Sequence, residues 1–199
     1  MSDPLPGSSP APKSRNASIC VFCGARSGHD PAYEQAAIDL GTRMAKENWR
    51  LVYGAGDIGI MGAVAKAAQA AGAETFGVIP VHLMDREQGK RDLTSFVVTE
   101  NMHERKKVMY MNSDAIAVLP GGAGSLDEFF EVLTWRQLGL HDKPIILLNI
   151  NGYWDPLIGL LDHVIAQGFA GDDIRENTLV AESVDQMATL LRARFATRS

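Results

Sequence analysis

The sequence predicts an α/β protein with a doubly wound, parallel sheet in a single domain. From residue 17 onward, short β-branched runs alternate with longer segments of helical period. Most of the short runs are apolar throughout, as expected of strands that helices cover on both faces. Three of the loops that follow these strands are rich in glycine. Ligands of such sheets bind at the carboxyl ends of the strands, so these loops are where a site is expected.

The ends and the composition of the chain define the predicted domain. Residues 1–16 hold four of the nine prolines and almost nothing apolar, which predicts a disordered tail before a domain at 17–199. With 46% hydrophobic and 22% charged residues, that domain can bury a substantial core. The net charge of −5 has the wrong sign for neutralising the phosphates of a nucleic-acid polymer, so no such partner is expected. A local basic pocket for a small anion stays open.

The individual elements follow from pattern and period. β-branched runs between turn residues predict strands at 19–23, 51–53, 75–79, 96–99, 115–119 and 145–149, with a weaker one at 178–181. Apolar residues at helical spacing predict helices at 33–47, 62–71, 102–112, 126–138, 156–167 and 184–196. Helices that alternate with buried strands in this way join parallel neighbours.

Nothing in the sequence predicts a membrane segment. No stretch approaches the roughly 20 uninterrupted apolar residues of a bilayer helix, and the N-terminus lacks a basic region followed by an apolar run. A cytoplasmic location without a membrane partner is therefore expected.

The two cysteines form a C-x-x-C pattern, which can indicate a redox pair or half of a zinc site. Cys20 and Cys23 lie in the first predicted strand, however, where residues three apart point to opposite faces. No second Cys or His pair completes a metal site. We interpret them as two buried structural thiols and predict no metal.

The first loop, residues 23–28, follows the first strand and precedes a helix that Pro31 is expected to open. Its two glycines expose the backbone, and Arg26 and Ser27 offer polar side chains that could meet a nucleotide. An ordinary turn from strand to helix uses the same residue types, so both interpretations stay open.

The second loop, residues 54–59, matches the dinucleotide pattern G-x-G-x-x-G between a strand and a helix. An acid that binds the ribose should close the following strand, but that strand offers none. An NAD site is therefore not predicted. Close approach of the backbone to a ligand or a helix explains the glycines at 54, 56, 59 and 62 more simply.

The third loop is the most specific feature. After the buried strand at 115–119, Pro120-Gly121-Gly122-Ala123-Gly124-Ser125 leads directly into a helix, which Ser125 is expected to cap. Backbone N–H groups at the positive end of the helix dipole would form a phosphate cradle. The loop lacks the lysine of a P-loop, so triphosphate hydrolysis is not predicted. Glu128 is expected in the first turn, facing a sugar rather than the anion; an ordinary helix start remains the alternative.

Arg105 is the cation placed best for an inward role, although spacing alone leaves a solvated basic face open as the alternative. Helical spacing puts it beside Met102 and Met109, an apolar face, so its guanidinium could meet a phosphate or a purine edge. A guanidinium stays protonated in proteins and is a poor general acid. His103 and Lys107 are expected on the solvated face of the same helix.

Seven segments between residues 19 and 168 carry a resemblance that generic patterns cannot supply. They are Cys20-Val21-Phe22-Cys23-Gly24, Leu51-Val52-Tyr53-Gly54, Met61-Gly62, Gly77-Val78-Ile79-Pro80, Met102-His103-Glu104-Arg105-Lys106, Pro120-Gly121-Gly122-Ala123-Gly124-Ser125 and Leu133-Thr134-Trp135. Together they resemble the LOG family, cytokinin riboside 5′-monophosphate phosphoribohydrolases that were long mislabelled as lysine decarboxylases.

The resemblance implies a Rossmann-like fold and an N-glycosidase. The reaction would cleave the N-glycosidic bond of purine (cytokinin) riboside 5′-monophosphates or AMP to free base and ribose 5-phosphate. Neither a cofactor nor a metal is implied, and the family usually forms homodimers. Arg105 and Glu128 match the paired catalytic residues. The substrate-binding positions that match are Glu87, Arg105, Lys106, Gly121, Gly122, Ala123, Gly124, Ser125, Leu126, Asp127, Glu128 and Thr134.

Two positions depart from the family pattern. The usual triple glycine after the second strand is Gly54-Ala55-Gly56 here, and the usual threonine is Ser125, which keeps the hydroxyl. Ala55 leaves the preference between prenylated adenine and adenine open. A second hypothesis is a non-catalytic carrier of a nucleotide or of molybdenum cofactor with the same fold. The joint presence of Arg105 and Glu128 disfavours it.

Overall fold

The computed structural model describes residues 17–84, 89 and 92–197, so the predicted tail (1–16) and Glu87 lie outside the described residues. The strands are β1 (Ala17–Phe22), β2 (Trp49–Tyr53), β3 (Thr75–Pro80), β4 (Ser95–Thr99), β5 (Ala115–Val118), β6 (Ile145–Leu148) and β7 (Thr178–Ala181). The helices are α1 (Pro31–Lys46), α2 (Gly59–Ala70), α3 (Met102–Met111), α4 (Ala123–Gln137), α5 (Asp155–Ala166), α6 (Asp173–Glu176) and α7 (Val184–Ala196). Short 3₁₀ turns lie at Val81–Leu83 and Ile150–Gly152.

The seven strands form one sheet in the order β4-β3-β2-β1-β5-β6-β7, and every neighbouring pair is parallel. Helices cover both faces. Leu40 of α1, Val64 of α2 and the residues of α7 pack on one face, whereas Phe129 of α4 and Leu161 of α5 pack on the other. The predicted doubly wound α/β sheet is confirmed, including the weaker seventh strand.

The order of the strands reverses at β1. Ile19 of β1 is paired with Leu51 of β2 on one side and with Ala115 of β5 on the other. The chain therefore builds outward from β1 in one direction and from β5 in the opposite direction. In a doubly wound sheet, the loops that follow two such strands diverge and open a crevice between them.

The cysteines behave as predicted. Cys20 belongs to one hydrophobic core and Cys23 to the core on the opposite face of the sheet, and both are buried thiols outside any disulfide. Burial raises the pKa of the Cys20 thiol well above its usual value, and the charge of Glu128 raises it further. Cys20 is thus a protonated core residue.

Two helix starts distinguish what the sequence predicted well from what it predicted wrongly. Asp30 caps α1 by accepting a hydrogen bond from the Ala32 N–H at 2.9 Å, and Pro31 is the first helical residue, as expected. The predicted cap at Ser125 is wrong, because α4 begins at Ala123 after Gly122, without a side-chain cap.

The earlier start of α4 also moves the acids away from the first turn. Ser125 is the third helical residue, and Asp127 and Glu128 are the fifth and sixth. The prediction that Glu128 lies in the first turn is therefore wrong. Glu128 stands one turn further from the end of the helix, where repulsion from an anion bound at that end is weaker.

Candidate functional site

The three glycine-rich loops meet at the crevice between β1 and β5. The Gly24 N–H donates to the Pro120 carbonyl at 3.1 Å, and the Gly24 carbonyl accepts from the Met61 N–H at 3.2 Å. A Cβ on Gly121 would lie 2.8 Å from the Gly24 nitrogen. These residues are glycines because three stretches of backbone touch here.

Two glycines at the start of α2 serve close backbone packing, as predicted. Gly59 has a left-handed φ of 59°, and a Cβ there would lie 2.4 Å from the Ala25 carbonyl carbon. A Cβ on Gly62 would lie 2.4 Å from the Asp57 oxygen. Both glycines therefore bring the start of α2 against neighbouring backbone.

A cavity of about 600 Å³ lies between the first loop and the start of α4. We name it the phosphate-side cavity after the group that the sequence predicts at this helix start. Arg26, Ser27 and Tyr33 line it on one side, and residues 120–125 and Tyr153 line it on the other. The Tyr153 hydroxyl donates to the Gly121 carbonyl at 2.6 Å, and its ring meets Tyr33 edge to face at 5.2 Å between centroids. The tyrosine pair thus braces the loop that forms the cavity.

The N-terminus of α4 opens into the phosphate-side cavity. Ala123, Gly124 and Ser125 are its first three residues, and their N–H groups have no acceptor within the helix. The Ser125 side chain lines the same cavity although only 3% of the residue is exposed. Exposed amides at the positive end of a helix, with a hydroxyl beside them, form a suitable site for an anionic group.

A second cavity of about 130 Å³, the sugar-side cavity, holds Arg105 and Glu128 together. Its other walls are mostly apolar, with Val21, Met61 and Met102 among them. Gly124 lines both cavities, so they adjoin at the first turn of α4. Glu128 lies four positions after Gly124, which is about 6 Å along a helix.

Arg105 points inward, as predicted, and is only 4% exposed. Its Nε donates to the Val78 carbonyl at 3.1 Å, and its Nη2 donates to the Gly54 carbonyl at 2.7 Å. These bonds fix the plane of the guanidinium across the ends of β2 and β3. His103 and Lys107 are exposed, as the helical spacing indicated.

Lys106 connects the two helices that carry Arg105 and Glu128. Its Nζ lies 3.0 Å from the Asp127 carboxylate and 3.1 Å from the Glu131 carboxylate, and the residue is buried. Burial alone would lower the pKa of Lys106, but the hydrogen bonds to the two carboxylates outweigh it and raise the pKa. Lys106 lines neither cavity.

The remaining predicted positions divide between the site and its surroundings. Asp127 lines the sugar-side cavity, whereas Leu126 packs against the core on one face of the sheet. Thr134 is exposed two turns further along α4, where its hydroxyl donates to the Phe130 carbonyl at 2.7 Å, and it lines neither cavity. Glu87 lies outside the described residues.

Sequence reasoning missed the part that Tyr33 and Tyr153 play in the cavity. Tyr153 follows β6 at the carboxyl edge of the sheet, and that position is the signal that could have identified it. Among residues 17–84, 89 and 92–197, no cluster of His, Cys, Asp or Glu suits a metal ion. Nor is any helix of these residues long and apolar enough to cross a bilayer.

Comparison with known proteins identifies relatives along most of the chain. A family model described as "possible lysine decarboxylase" matches residues 61–191. A cytokinin riboside 5′-monophosphate phosphoribohydrolase of Arabidopsis thaliana is 41% identical over 90% of this chain and 83% of its own length. A probable enzyme of the same name from Arabidopsis thaliana is 46% identical over 78% of each chain. A cytokinin riboside 5′-monophosphate phosphoribohydrolase of Oryza sativa is 40% identical over 90% of this chain and 74% of its own length.

Solved structures with the same fold include carriers. A molybdenum cofactor carrier protein of Chlamydomonas reinhardtii superposes with a TM-score of 0.69 at 21% identity, over 93% of this chain and all of that one. A molybdenum cofactor binding protein of Rippkaea orientalis gives 0.69 at 22% identity over 92% and 98%. At such identity the likeness concerns the fold alone. The family model and the relatives at 40–46% identity show that this chain belongs to the LOG family.

Proposed function

We propose that this protein hydrolyses the N-glycosidic bond of a purine nucleoside 5′-monophosphate, releasing the free base and ribose 5-phosphate. Cytokinin riboside monophosphates and AMP are the candidate substrates. One observation carries the proposal: Arg105 and Glu128 share a cavity that adjoins an anion-binding helix end at Gly124. A 5′-phosphate at the start of α4 places the sugar one helical turn along, beside Glu128.

Glu128 is the group that acts on the sugar. As the bond between C1′ and the base nitrogen breaks, its electron pair leaves with the base and positive charge develops at C1′. The Glu128 carboxylate stabilises that charge and accepts a proton from the water whose oxygen attacks C1′. Its position beyond the first turn of α4 separates it from the phosphate.

Arg105 acts on the departing base. Its guanidinium is buried and held by the Gly54 and Val78 carbonyls, so its charge is oriented before the substrate enters. A fixed positive charge in an apolar cavity stabilises the negative charge that the base acquires. Arg105 keeps its own proton, and the proton that Glu128 took from the attacking water is passed through solvent to the released base, which restores the carboxylate.

The phosphate supplies binding energy away from the reacting bond. The amides at the start of α4 and the Ser125 hydroxyl can hold it while the sugar enters the smaller cavity. Such remote binding positions C1′ against Glu128 and water. Lys106, tied to Asp127 and Glu131, acts in this scheme as a positioning residue between α3 and α4.

Chromatography of the released base tests the proposal directly. Purified protein is incubated with isopentenyladenosine monophosphate and with AMP, and both free bases are quantified. Glu128→Gln should lose at least about 100-fold in kcat while its melting temperature stays close to wild type. Glu34→Gln, a matched change at an exposed carboxylate on α1, should keep full activity.

Two results would overturn this assignment. Release of neither base by folded protein would remove the hydrolase function, and tight binding of molybdenum cofactor without hydrolysis would favour a carrier instead. Full activity of Glu128→Gln would remove the role given to Glu128. The ratio of turnover on the two substrates decides between a cytokinin-specific enzyme and an AMP nucleosidase.

We further propose that the protein is a homodimer in the cytoplasm. Met111 at the end of α3, and Leu138 and Leu140 after α4, are each about two-thirds exposed. Tyr110 packs on Trp135, which brings the ends of α3 and α4 together into one apolar face. Sedimentation should give a dimer for wild type and a monomer for Leu138→Asp with Leu140→Asp. A wild-type monomer would contradict this assembly.

A further inference from the structure

The two cations that match substrate-binding positions of the family, Arg105 and Lys106, do not line the phosphate-side cavity. Arg105 lines the sugar-side cavity, where two of its donors bond to the Gly54 and Val78 carbonyls. Lys106 lines neither cavity, and its Nζ contacts two carboxylates. A phosphate at the start of α4 therefore needs positive charge from another residue.

Arg26 is the charged residue that lines the phosphate-side cavity. Its backbone is enclosed, since a Cβ on Gly59 would lie 2.5 Å from the Arg26 nitrogen, while its side chain is exposed. In the part of the chain that the structure describes, no carboxylate pairs with this guanidinium. The nearest acid on its loop, Asp30, accepts from the Ala32 N–H and the Asn151 amide instead.

Ser125 points independently to a ligand in this cavity. The residue is 97% buried, its hydroxyl lies beside the Cα of Gly121, and no described residue forms a hydrogen bond with it. Because Ser125 also lines the cavity, its hydroxyl is available to form a hydrogen bond with a group bound there. Together with the free amides of Ala123 and Gly124, it completes a set of donors around one point.

We propose that Arg26 binds the 5′-phosphate of the nucleotide and is the residue that makes the enzyme select phosphorylated substrates. This inference rests on the proposed hydrolase function. The amides and hydroxyl on α4 contact the phosphate from one side, and the guanidinium closes it from the first loop. A dianionic phosphate monoester accepts several charge-assisted hydrogen bonds at once, which suits this set of donors.

Steady-state kinetics separate a phosphate-binding role from a structural one. Arg26→Gln should raise KM for the nucleotide by roughly 10- to 100-fold and leave kcat within about threefold. The specificity constant for the corresponding nucleoside, which has no phosphate, should not change. Arg26→Lys should restore most of the affinity, and Lys107→Gln, an equal loss of charge on the exposed face of α3, should behave like wild type.

Product inhibition identifies the group that Arg26 recognises. The inhibition constant of ribose 5-phosphate should rise by the same factor as KM in Arg26→Gln, whereas inhibition by free adenine should stay constant. The inhibition constant of inorganic phosphate should also rise by this factor in Arg26→Gln, which would show that Arg26 recognises the phosphate group itself. An unchanged KM, or a fall in kcat at constant KM, would overturn the assignment.

The experiment remains informative if the protein proves not to be a hydrolase. In that case wild type releases no base, and calorimetric titration with ribose 5-phosphate replaces kinetics. Weaker binding by Arg26→Gln than by wild type and Lys107→Gln would then uphold the phosphate site while the proposed activity fails. Equal binding by all three proteins would overturn the site itself.

Discussion

The guanidinium of Arg105 lies directly against the Cα of Gly54. Its Nη2 donates to the Gly54 carbonyl at 2.7 Å, and a Cβ on Gly54 would lie 2.0 Å from the same nitrogen. Because Gly54 has no side chain, it leaves the space that the Arg105 guanidinium occupies. The second loop, which resembles a dinucleotide motif, contributes to the site by making room for an arginine.

Gly54→Ala should displace Arg105 without unfolding the protein. The methyl group takes the place of Nη2, so the guanidinium must leave its two carbonyl partners. We expect kcat to fall by roughly 100-fold or more, as when a preorganised donor is removed. Gly159→Ala is the control, because no atom lies within 4 Å of a Cβ there. Unchanged activity of Gly54→Ala would contradict the role assigned to Arg105.

Lys106→Met should lower both activity and stability. The change leaves the Asp127 and Glu131 carboxylates without their cation and loosens α3 against α4. We expect a loss of about 1–2 kcal/mol in the free energy of unfolding, since water still reaches both carboxylates. Because α3 carries Arg105, kcat should fall by roughly 10- to 100-fold at nearly constant KM. A rise in KM alone would instead indicate that Lys106 contacts the substrate.

The same ion pairs predict a loss of stability in alkali. The pKa of Lys106 is raised above its ordinary value of 10.5, so the contribution is complete below that pH. It disappears as the pH rises through the raised pKa, because the unfolded chain releases the proton first. Urea titrations between pH 9 and 11.5 should show a steeper decline for wild type than for Lys106→Met.

Ala55 and Gly77 should be energetically coupled. Ala55 is fully buried with a left-handed φ of 58°, and a Cβ on Gly77 would lie 2.7 Å from its methyl group. Gly77 is paired with both β2 and β4, so its backbone cannot yield. Gly77→Ala should cost about 1–3 kcal/mol through overpacking.

A double-mutant cycle measures that coupling. Ala55→Gly alone should change stability by less than about 1 kcal/mol, because relief of the left-handed conformation offsets the lost methyl group. In its presence, Gly77→Ala should be less harmful by about 0.5 kcal/mol or more. Strict additivity in urea unfolding would show that the two residues do not compete for the same space.

His141 should make stability depend on pH in weak acid. Its Nε2 lies 2.9 Å from the Val132 carbonyl, and its Nδ1 accepts from the Lys143 N–H at 3.1 Å, an arrangement that suits the neutral ring. Burial lowers the pKa of His141, with the charges of Lys143 and Arg136 acting in the same direction and Asp142 and the Val132 carbonyl opposing them.

The sign of the effect follows from that depressed pKa. The stabilising contribution is present above the ordinary value of 6.5 and is lost as the pH falls through the lower folded value. The melting temperature should therefore decline between about pH 7 and 5, and His141→Leu should flatten this decline. His163→Gln, at an exposed histidine of α5, should retain the wild-type slope. A wild-type slope in His141→Leu would exclude His141 as its source.

Local pattern was enough to orient α3 and not enough to place the start of α4. Helical spacing aligns Arg105 with Met109, and burial of that face turns the guanidinium inward. In contrast, Gly122 and Gly124 indicate a loop. Glycine costs little at a helix end, where the first N–H groups lack intrahelical partners anyway, so the tertiary packing of α4 extends the helix back to Ala123.

The relation between the first and third loops also lay beyond the sequence. Arg26, Gly121 and Tyr153 come from three distant parts of the chain. They meet only because β1 pairs with β5 and β5 pairs with β6. No short-range sequence pattern indicates that these three residues lie close together. The sequence did indicate that all three follow strands, and the carboxyl edge of a parallel sheet was therefore the correct place to search.

The reversal of strand order at β1 determines when the binding site can form as the chain folds. β1 and β5 are adjacent, yet the Ser18 N–H and the Asp114 carboxylate that join them are separated by 96 residues. A nascent chain that ends before β5 carries Arg26 but has no second wall for an anion to bind against. Capture of a phosphorylated ligand would thus report that the first and third loops, about 100 residues apart, have docked. The ligand should also stabilise that late, long-range contact against premature opening.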